Sequence, residues 1–316
     1  MGGDGVADED PLALRFSAAP GHLLRRAQQV HTDYWSREID EDITGPQYAT
    51  LVSVAGWPEV DQKLAGELAS LDKSTVAGVL ARLEKKGWIS RQRHPADARR
   101  RLLVLTEDAR RRLPELTAGA AEVQRLLLQP LVERDRPEFI DLLQRVAFPD
   151  AESTVSTAPL RSVDVLEMST TPGYLIRRAQ QVHAAVWNRI FAGDLTSPQY
   201  AVLTAAATAG TDSVDQSQIS LRASLDSSSV TDIVARLEEK GWITRRRDPG
   251  DRRRMRIHLT VPAVTAMRHL TRSVEQVQDE LLCALDARER DRFVSLMQQV
   301  ALIERDPVDR LPVGAG

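Results

Sequence analysis

The sequence predicts a mainly α-helical protein with small β-hairpins, in which one domain occurs twice within a single chain. Three observations support this prediction: the second half repeats the first, helical periodicity dominates each half, and each half contains one short stretch with strand character. Of the 316 residues, 42% are hydrophobic and 28% are charged, as in ordinary globular proteins. At roughly 100–200 residues per domain, this length suits about two domains.

The internal repeat is read directly from the sequence. Residues 20–38 read PGHLLRRAQQVHTDYWSRE and residues 172–190 read PGYLIRRAQQVHAAVWNRI, with 12 of 19 positions identical. A second pair, TGPQY at 44–48 and TSPQY at 196–200, keeps the same offset of 152. The period is far longer than that of a solenoid repeat, which indicates duplication of a whole domain.

The offset increases to 154 later in the chain, where RLEKKGWI at 82–89 matches RLEEKGWI at 236–243. The two extra residues fall in a predicted loop near 210–213, where an insertion costs little free energy. We therefore predict one domain at 11–148 (repeat one), a linker at 149–162 and a second domain at 163–305 (repeat two). The linker is rich in Ser, Thr, Ala and Pro.

Helical signals come first in each repeat. Apolar residues in 22–39 share one helix face. Thr44 with Pro46 is typical of a helix start, and this second helix is predicted to reach about Ala55. Residues 62–70 predict a short helix. Asp72 then predicts an N-cap for a helix that runs through Lys86 and is closed by a glycine.

Strand signals follow that glycine. In repeat one, 88–89 and 102–105 flank a turn-forming stretch at 94–97, which predicts a β-ribbon, or wing. The counterparts in repeat two are 242–243, 248–251 and 255–259. Long helices are then predicted at 106–131, 135–146, 260–285 and 286–301, and Pro114 could kink the first of them.

Two consecutive helices joined by a tight turn are typical of a helix-turn-helix, whose second helix enters the DNA major groove. The candidate base-reading residues open that second helix: Lys73, Ser74, Thr75, Ala77 and Gly78 in repeat one, and Ser227, Ser228, Ser229, Thr231 and Asp232 in repeat two. Any capped amphipathic helix begins in the same way, so this pattern alone leaves DNA binding open.

The predicted wings favour DNA binding. Residues 91–101 contain five Arg against one acid, and residues 245–256 contain seven Arg against two. Such a density in a hairpin suits phosphate contact and insertion of Arg into a narrow minor groove. The alternative is a solvated charged turn, because the whole chain is rich in Arg. A helix-turn-helix directly before the wing, in both repeats, favours the DNA-binding interpretation.

The strings LEKKGWI, Asp97-Ala-Arg99 and Leu105-Thr106 resemble the MarR (multiple antibiotic resistance regulator) family, as do LEEKGWI, Asp251-Arg-Arg253 and Leu259-Thr260. The resemblance covers nearly all of both repeats. It implies a winged helix-turn-helix whose first and last helices form a dimerisation region. It also implies that Arg99 and Arg253 enter the minor groove and that Asp97 and Asp251 orient them, with Arg100 and Arg254 as further wing candidates.

Members of that family are usually homodimers of one such domain, whereas this chain carries two. We therefore predict two winged helix-turn-helix domains arranged as an intramolecular pseudo-dimer that reads double-stranded DNA at a pseudo-palindromic operator. The alternative is that each repeat dimerises with another chain. Lys73 becomes Ser227 and Gly78 becomes Asp232, which predicts an imperfect palindrome. The implied function is transcriptional regulation, usually repression. A sequence-tolerant architectural DNA protein is the competing class.

The resemblance also implies a small-molecule effector, because such regulators commonly release DNA when an aromatic or anionic molecule binds. The motif at 20–35, which recurs at 172–187, resembles that of family members that control the catabolism of aromatic compounds. His31 and Trp35 share a helix face and recur as His183 and Trp187, with Arg26 and Arg178 roughly one and a half turns earlier. These six residues are the candidates for stacking and for carboxylate binding. The alternative is that the Trp and His rings simply pack a core.

The remaining features exclude other classes. The chain contains no G-x-S-x-G, H-E-x-x-H, P-loop or C-x-x-C motif, so we predict no enzyme, metal site or cofactor. The single cysteine, Cys283, lies in an aliphatic run and is predicted to be a buried, inert thiol. The sequence lacks a long apolar stretch and a secretory signal, so no membrane association and a cytoplasmic location are expected.

Overall fold

The computed structural model describes residues 12–39, 43–97, 99–149, 164–208, 214–248, 250 and 254–303. The predicted linker at 149–162 lies outside the described residues except for residue 149. The predicted insertion loop near 210–213 also lies outside them.

Repeat one contains six helices and one hairpin in the described part of the chain: α1 (Pro20–Glu38), α2 (Gly45–Gly56), α3 (Gln62–Leu68), α4 (Lys73–Lys85), β1 (Ile89–Arg93), β2 (Arg101–Leu105), α5 (Glu107–Leu128) and α6 (Arg136–Ala147). Repeat two gives the same series: α7 (Pro172–Phe191), α8 (Ser197–Ala207), α9 (Gln216–Ala223), α10 (Ser227–Glu239), β3 (Ile243–Arg247), β4 (Met255–Leu259), α11 (Val261–Leu281) and α12 (Ala287–Val300). The prediction of a mainly helical fold with small β-hairpins is confirmed. α5 continues through Pro114.

Local capping explains where the helices begin and end. Thr44 and Gln47 form a capping box, in which the Gln47 Oε1 accepts from the Thr44 backbone N–H at 2.8 Å. Asp72 caps α4 by accepting from the backbone N–H groups of Ser74 and Thr75, both at 2.9 Å. Gly87, at φ 72°, follows α4 in the left-handed region that favours glycine. These predicted boundaries are confirmed.

Each hairpin is an antiparallel pair closed by a threonine. Ile89 pairs with Leu105 at the base of the first hairpin. Thr106 then caps α5 by accepting from the Ala109 N–H at 3.2 Å, and its hydroxyl donates to the Gly87 carbonyl at 2.7 Å. One hydroxyl group therefore caps α5 and ties its start to the end of α4. This bond explains the Leu-Thr ending of the wing motif.

The described residues form two compact units, and neither coincides with one repeat. The first-repeat unit contains the described residues within 27–181 and 284–303, and the second-repeat unit contains those within 12–26 and 182–283. Each unit therefore takes a segment from the other repeat. In the second-repeat unit, Leu12, Leu14 and Phe16 pack against the core of repeat two.

Within the first-repeat unit, α12 packs on α6 through charged pairs. The Arg145 guanidinium donates to both carboxylate oxygens of Glu289, at 2.6 and 2.8 Å. Arg292 lies 3.0 Å from Asp135 and 2.9 Å from Glu138. The last helices of the two repeats thus recognise each other through complementary charge.

The end of α11 corrects one prediction. The helix ends at Leu281 instead of continuing to residue 285, and Cys283 lies in the following turn, exposed to solvent. Leu281, Leu282 and Leu285 take the buried positions of this aliphatic run. The prediction of a buried thiol is wrong because the turn rotates Cys283 away from the face that its leucine neighbours bury.

Every helix in the described ranges is too short or too polar to span a lipid bilayer. The described ranges also contain no group of three or more His, Cys, Asp or Glu side chains that could hold a metal ion.

Candidate DNA interface and effector cavities

The start of α4 presents polar and small residues to solvent. Lys73, Ser74, Thr75 and Ala77 are exposed, and Gly78 is half-buried. The hydroxyls of Ser74 and Thr75 both donate to the Asp72 carboxylate at 2.5 Å, and these hydrogen bonds hold the pKa of Asp72 well below its usual value. The exposed Lys73 places a positive charge at this end of α4.

The start of α10 has the same cap with different chemistry at its face. Ser228 and Ser229 donate to Asp226, and Thr231 donates to the Ser227 carbonyl at 2.9 Å. Ser227, Ser228, Thr231 and Asp232 are exposed, while Ser229 is half-buried. This surface carries a carboxylate at the position of Gly78 and lacks the lysine.

In the first wing, Asp97 acts on the backbone. Its carboxylate accepts from the Arg99 backbone N–H at 3.0 Å, and its carbonyl accepts from the Arg100 N–H at 3.0 Å. The turn holds the Arg99 main chain in place while the Arg99 side chain is exposed, as are those of Arg93 and Arg101. Exposed guanidinium groups on a fixed turn are suited to phosphate contact. In the second wing, the predicted Asp251 and Arg253 lie outside the described residues.

Other wing arginines anchor the hairpin to the helix-turn-helix. Arg100 lies 3.4 Å from Asp61, the N-cap of α3, and Arg254 lies 3.2 Å from Asp215, the N-cap of α9. These two predicted DNA contacts thus have an intramolecular partner in the free protein. A further pair was missed from the sequence: Arg91 donates to Glu84 at 2.9 Å and Arg245 donates to Glu238 at 2.8 Å. Glu84 and Arg91 recur as Glu238 and Arg245, both at the offset of 154. This joint recurrence could have revealed the two ion pairs.

The first-repeat unit contains a cavity of about 330 Å³, here called the large cavity. Aromatic rings form its walls, since His31 and Trp35 lie with centroids 5.7 Å apart and Trp35 and Tyr48 are also 5.7 Å apart. Tyr174 and Arg177 of α7 complete the lining. Arg177 is the only cation among the described residues that line the cavity, and none of these lining residues is acidic.

Three side chains of α7 connect this cavity to the helix-turn-helix. Tyr174, Arg177 and Gln181 donate to the carbonyls of three consecutive residues at the end of α3: Leu68 at 3.1 Å, Ala69 at 2.6 Å and Ser70 at 2.5 Å. These carbonyls precede the turn into α4. A cation beside the C-terminal carbonyls of a helix is favourable because the helix dipole is negative there. Arg177 therefore both lines the large cavity and bonds the end of α3, just before the turn into α4.

The corresponding cavity of the second-repeat unit, here called the small cavity, has a volume of only about 30 Å³. His183, Trp187 and Tyr200 occupy the positions of the aromatic wall, and His22 and Arg25 of α1 replace Tyr174 and Arg177. Arg25 donates to the Ala223 carbonyl at 3.0 Å, as Arg177 does to Ala69.

The arginines predicted from the sequence, Arg26 and Arg178, do not line either cavity. Each stands one residue beyond the arginine that does, and one residue turns the side chain by about 100° around a helix. Arg178 instead lies over the Phe148 ring at 5.5 Å. The arginine that lines each cavity, Arg177 or Arg25, belongs to the first helix of the other repeat. A residue pattern within one helix could not show this.

Burial sets the charge state of these sites. It lowers the pKa of His31 and of His183 to about 4, with a further contribution from Arg177 and Arg25, respectively. Burial also lowers the pKa of Arg25 and Arg177 to about 10. At neutral pH, both cavities thus contain a neutral imidazole beside a charged guanidinium, an arrangement that favours an anion.

Comparisons with known proteins identify relatives of this chain. The sequence pattern of the MarR family matches residues 43–100 and again residues 195–255. The transcriptional regulator HosA of Escherichia coli is 34% identical over 135 residues, which cover 43% of this chain and 98% of that protein. The repressor NicR of Pseudomonas putida is 27% identical and is covered to 80%. The crystal structure of the PcaV regulator of Streptomyces coelicolor with its natural ligand is 39% identical, covering 43% of this chain and 96% of that one, with a TM-score of 0.41.

HosA is matched over almost its whole length by less than half of this chain, and the family pattern occurs twice. The chain therefore belongs to the MarR family of winged helix-turn-helix regulators and carries two copies of the family's domain.

Proposed function

We propose that this protein is a sequence-specific DNA-binding repressor, in which one chain reads a pseudo-palindromic operator and releases it when a small aromatic carboxylate binds. The observation that carries the proposal is the presence of two capped recognition helices in one chain, each followed by an arginine-rich wing. Each helix end and wing is polar or basic and exposed, as groove reading and phosphate contact require.

The composition of the two units supports the single-chain arrangement. Each unit is completed by a segment of the other repeat, so the interchange that a homodimer makes between chains is made within one chain. The charges on the last helices also favour pairing of unlike repeats. Arg145 faces Glu289, whereas the residue of repeat two that corresponds to Arg145 is Gln299, and two copies of repeat two would lack this pair.

The chemistry of the large cavity supports an aromatic carboxylate as effector. A volume near 330 Å³ lies within the usual range for small-molecule sites. Its aromatic wall can stack on a ring, and the Arg177 guanidinium can pair with a carboxylate. A carboxylate on Arg177 would compete with the Ala69 carbonyl, loosen the end of α3 and so displace α4 from its groove. The effector thus acts by binding the DNA-incompetent state more tightly.

Operator binding is tested by fluorescence anisotropy on the DNA upstream of the gene, with random duplex as competitor at fixed salt. The repressor predicts that random duplex competes at least about 10³-fold less well than the upstream fragment. Equal competition would establish the alternative, a sequence-tolerant architectural protein.

Stoichiometry on DNA tests the single-chain arrangement. Analytical ultracentrifugation of the complex should give one chain of 35.1 kDa per operator. A complex that contains two chains at every protein concentration would show instead that the repeats pair between chains.

A further inference from the structure

We propose that the two cavities have diverged so that the chain binds one effector molecule, in the large cavity, while the small cavity is filled by the protein's own side chains. The inference rests on the proposed function, since it specifies how the effector of that regulator is bound. Its basis is a position-by-position comparison of the two linings, which correspond at offsets of 152 to 154.

Aromatic side chains occupy the small cavity from the N-terminal side. Phe16 takes the position of Met168, and His22 takes that of Tyr174. The Phe16 and His22 rings lie with centroids 4.4 Å apart, so they pack on each other inside the space that a ligand ring would need. In the large cavity, the flexible Met168 and the phenol of Tyr174 line the wall. The Tyr174 hydroxyl is fixed by its hydrogen bond to the Leu68 carbonyl at 3.1 Å.

A serine occupies the anion position of the small cavity. The two terminal nitrogens of Arg25 donate to the Ser197 hydroxyl and to the Ala223 carbonyl, both at 3.0 Å. The position of Ser197 is Gly45 in the large cavity, where no hydroxyl is available. Within the described residues, the Nε of Arg177 is buried without a hydrogen-bond partner. Arg177 therefore retains a buried donor for an incoming carboxylate, whereas Arg25 is already bonded at both ends.

A further aromatic ring packs on one residue of the small-cavity wall. Phe191 stands at the position of Ile39, which lines the large cavity, and stacks on Trp187 with centroids 4.5 Å apart. The remaining volume of about 30 Å³ suits a water molecule or two. An apolar cavity of about 150 Å³ binds benzene. The large cavity exceeds this volume and the small cavity is about five times smaller than it, so a benzoate ring fits only the large cavity.

The consequence is that the first-repeat unit binds the effector and the second-repeat unit does not. In the second-repeat unit, Arg25 keeps its bond to the end of α9, and no effector reaches it. The effector thus acts directly on the recognition helix of repeat one alone, and release of DNA follows from the loss of one of two half-site contacts.

Isothermal titration calorimetry of the full chain with benzoate, 4-hydroxybenzoate and 3,4-dihydroxybenzoate tests the inference. We expect a stoichiometry of one for each acid that binds. Arg177→Gln should weaken binding at least tenfold, and the matched Arg25→Gln should leave affinity and stoichiometry unchanged. Trp35→Phe, but not Trp187→Phe, should remove the ligand-induced change in tryptophan fluorescence.

Exchanging the cavity residues between repeats provides a second test. Gly45→Ser should lower affinity about tenfold, because the new hydroxyl would engage Arg177 as Ser197 engages Arg25. A Cβ at Gly45 would lie 3.5 Å from the nearest atom of His31, so this substitution fits without strain. The converse double variant, Ser197→Gly with Phe16→Met, should create a second site and raise the stoichiometry toward two.

The outcomes separate this inference from the proposed function. A stoichiometry of two in the unmodified chain, or loss of binding in Arg25→Gln alone, would overturn the inference and leave the effector class intact. Absence of binding by all three acids would overturn both the inference and the aromatic-carboxylate effector, whereas operator binding, measured by anisotropy, stands or falls separately.

Discussion

In repeat one the hydroxyl of Thr106 bonds the Gly87 carbonyl at 2.7 Å, and in repeat two Thr260 bonds Gly241 at 2.8 Å. The backbone of each wing likewise bonds the residue before the N-cap of the third helix of its repeat, since Leu103 donates to the Val60 carbonyl at 2.7 Å and Ile257 donates to that of Val214 at 2.8 Å. The bonds that shape the backbone are thus nearly identical in the two copies.

The side chains of the candidate sites are not. Lys73 corresponds to Ser227 and Gly78 to Asp232 at the candidate DNA surface, and Gly45 corresponds to Ser197 in the cavity. The comparison teaches that the backbone scaffold is the same in both copies, whereas the surfaces proposed to meet DNA and effector differ. Three measurements can break or sharpen this comparison.

The largest effect is expected on the pH dependence of folding stability. It comes from the buried His31 and His183, which occupy the same position in the two repeats. The folded-state pKa of about 4 for His31 and for His183 lies below the unfolded value near 6.5, so the unfolded state takes up a proton first as pH falls. The resulting stability is complete above about pH 6.5 and is lost progressively toward pH 4. Between pH 7 and pH 5, each histidine should therefore lower the free energy of unfolding by about 2 kcal/mol.

Denaturant unfolding at the two pH values measures this loss. His31→Gln and His183→Gln should each reduce the pH-dependent difference by about 2 kcal/mol, whatever the stability of the variant at pH 7. His269, exposed on α11, provides the control substitution. A difference that stays constant in both variants would show that the two imidazoles are not buried as neutral groups.

A smaller effect is expected at the first wing. Arg99→Ala removes an exposed guanidinium held on the Asp97 turn, and we expect operator affinity to fall about 10- to 100-fold with a decrease of about one in the salt slope. Arg91→Ala is the matched control, because Glu84 already compensates the Arg91 charge. Equal losses from both substitutions would assign the wing a general electrostatic role and no groove contact by Arg99.

The smallest effect is expected at the recognition helices, where the repeats differ by one lysine. Lys73→Ser should weaken binding to the half-site of repeat one about threefold to tenfold, and Ser227→Lys should strengthen the other half-site by a similar factor. The measurement is competition between operators with either half-site symmetrised. Indifference of the unmodified protein to which half-site is symmetrised would show that the two helices read DNA alike.

Local sequence signals predicted the fold well because capping is a short-range effect. Thr44, Asp72 and Gly87 act on groups within a few residues, so their positions alone indicated the helix ends. The turn at Cys283 was missed because the apolar residues Leu281, Leu282 and Leu285 fit two structures equally well. They could belong to a continuous helix or to a helix that ends in a turn.

The candidate site was predicted less completely, because local sequence signals do not reveal contacts between distant parts of the chain. His31 and Trp35 were found because they are four residues apart on one helix. Arg177 was missed because it reaches the same cavity from α7, more than 140 residues later in the chain. Arg100 was assigned to DNA, whereas its contact with the N-cap Asp61 depends on folding of the wing against α3.

The duplication of the domain within one chain has a genetic consequence. In a homodimer every substitution occurs twice, so neither half can change alone. Here a codon change alters one repeat only, and the two repeats are always present in equal number because they lie in one chain. On the proposed operator, we expect such a protein to bind in one orientation and so to distinguish the gene on one side of its site from the gene on the other.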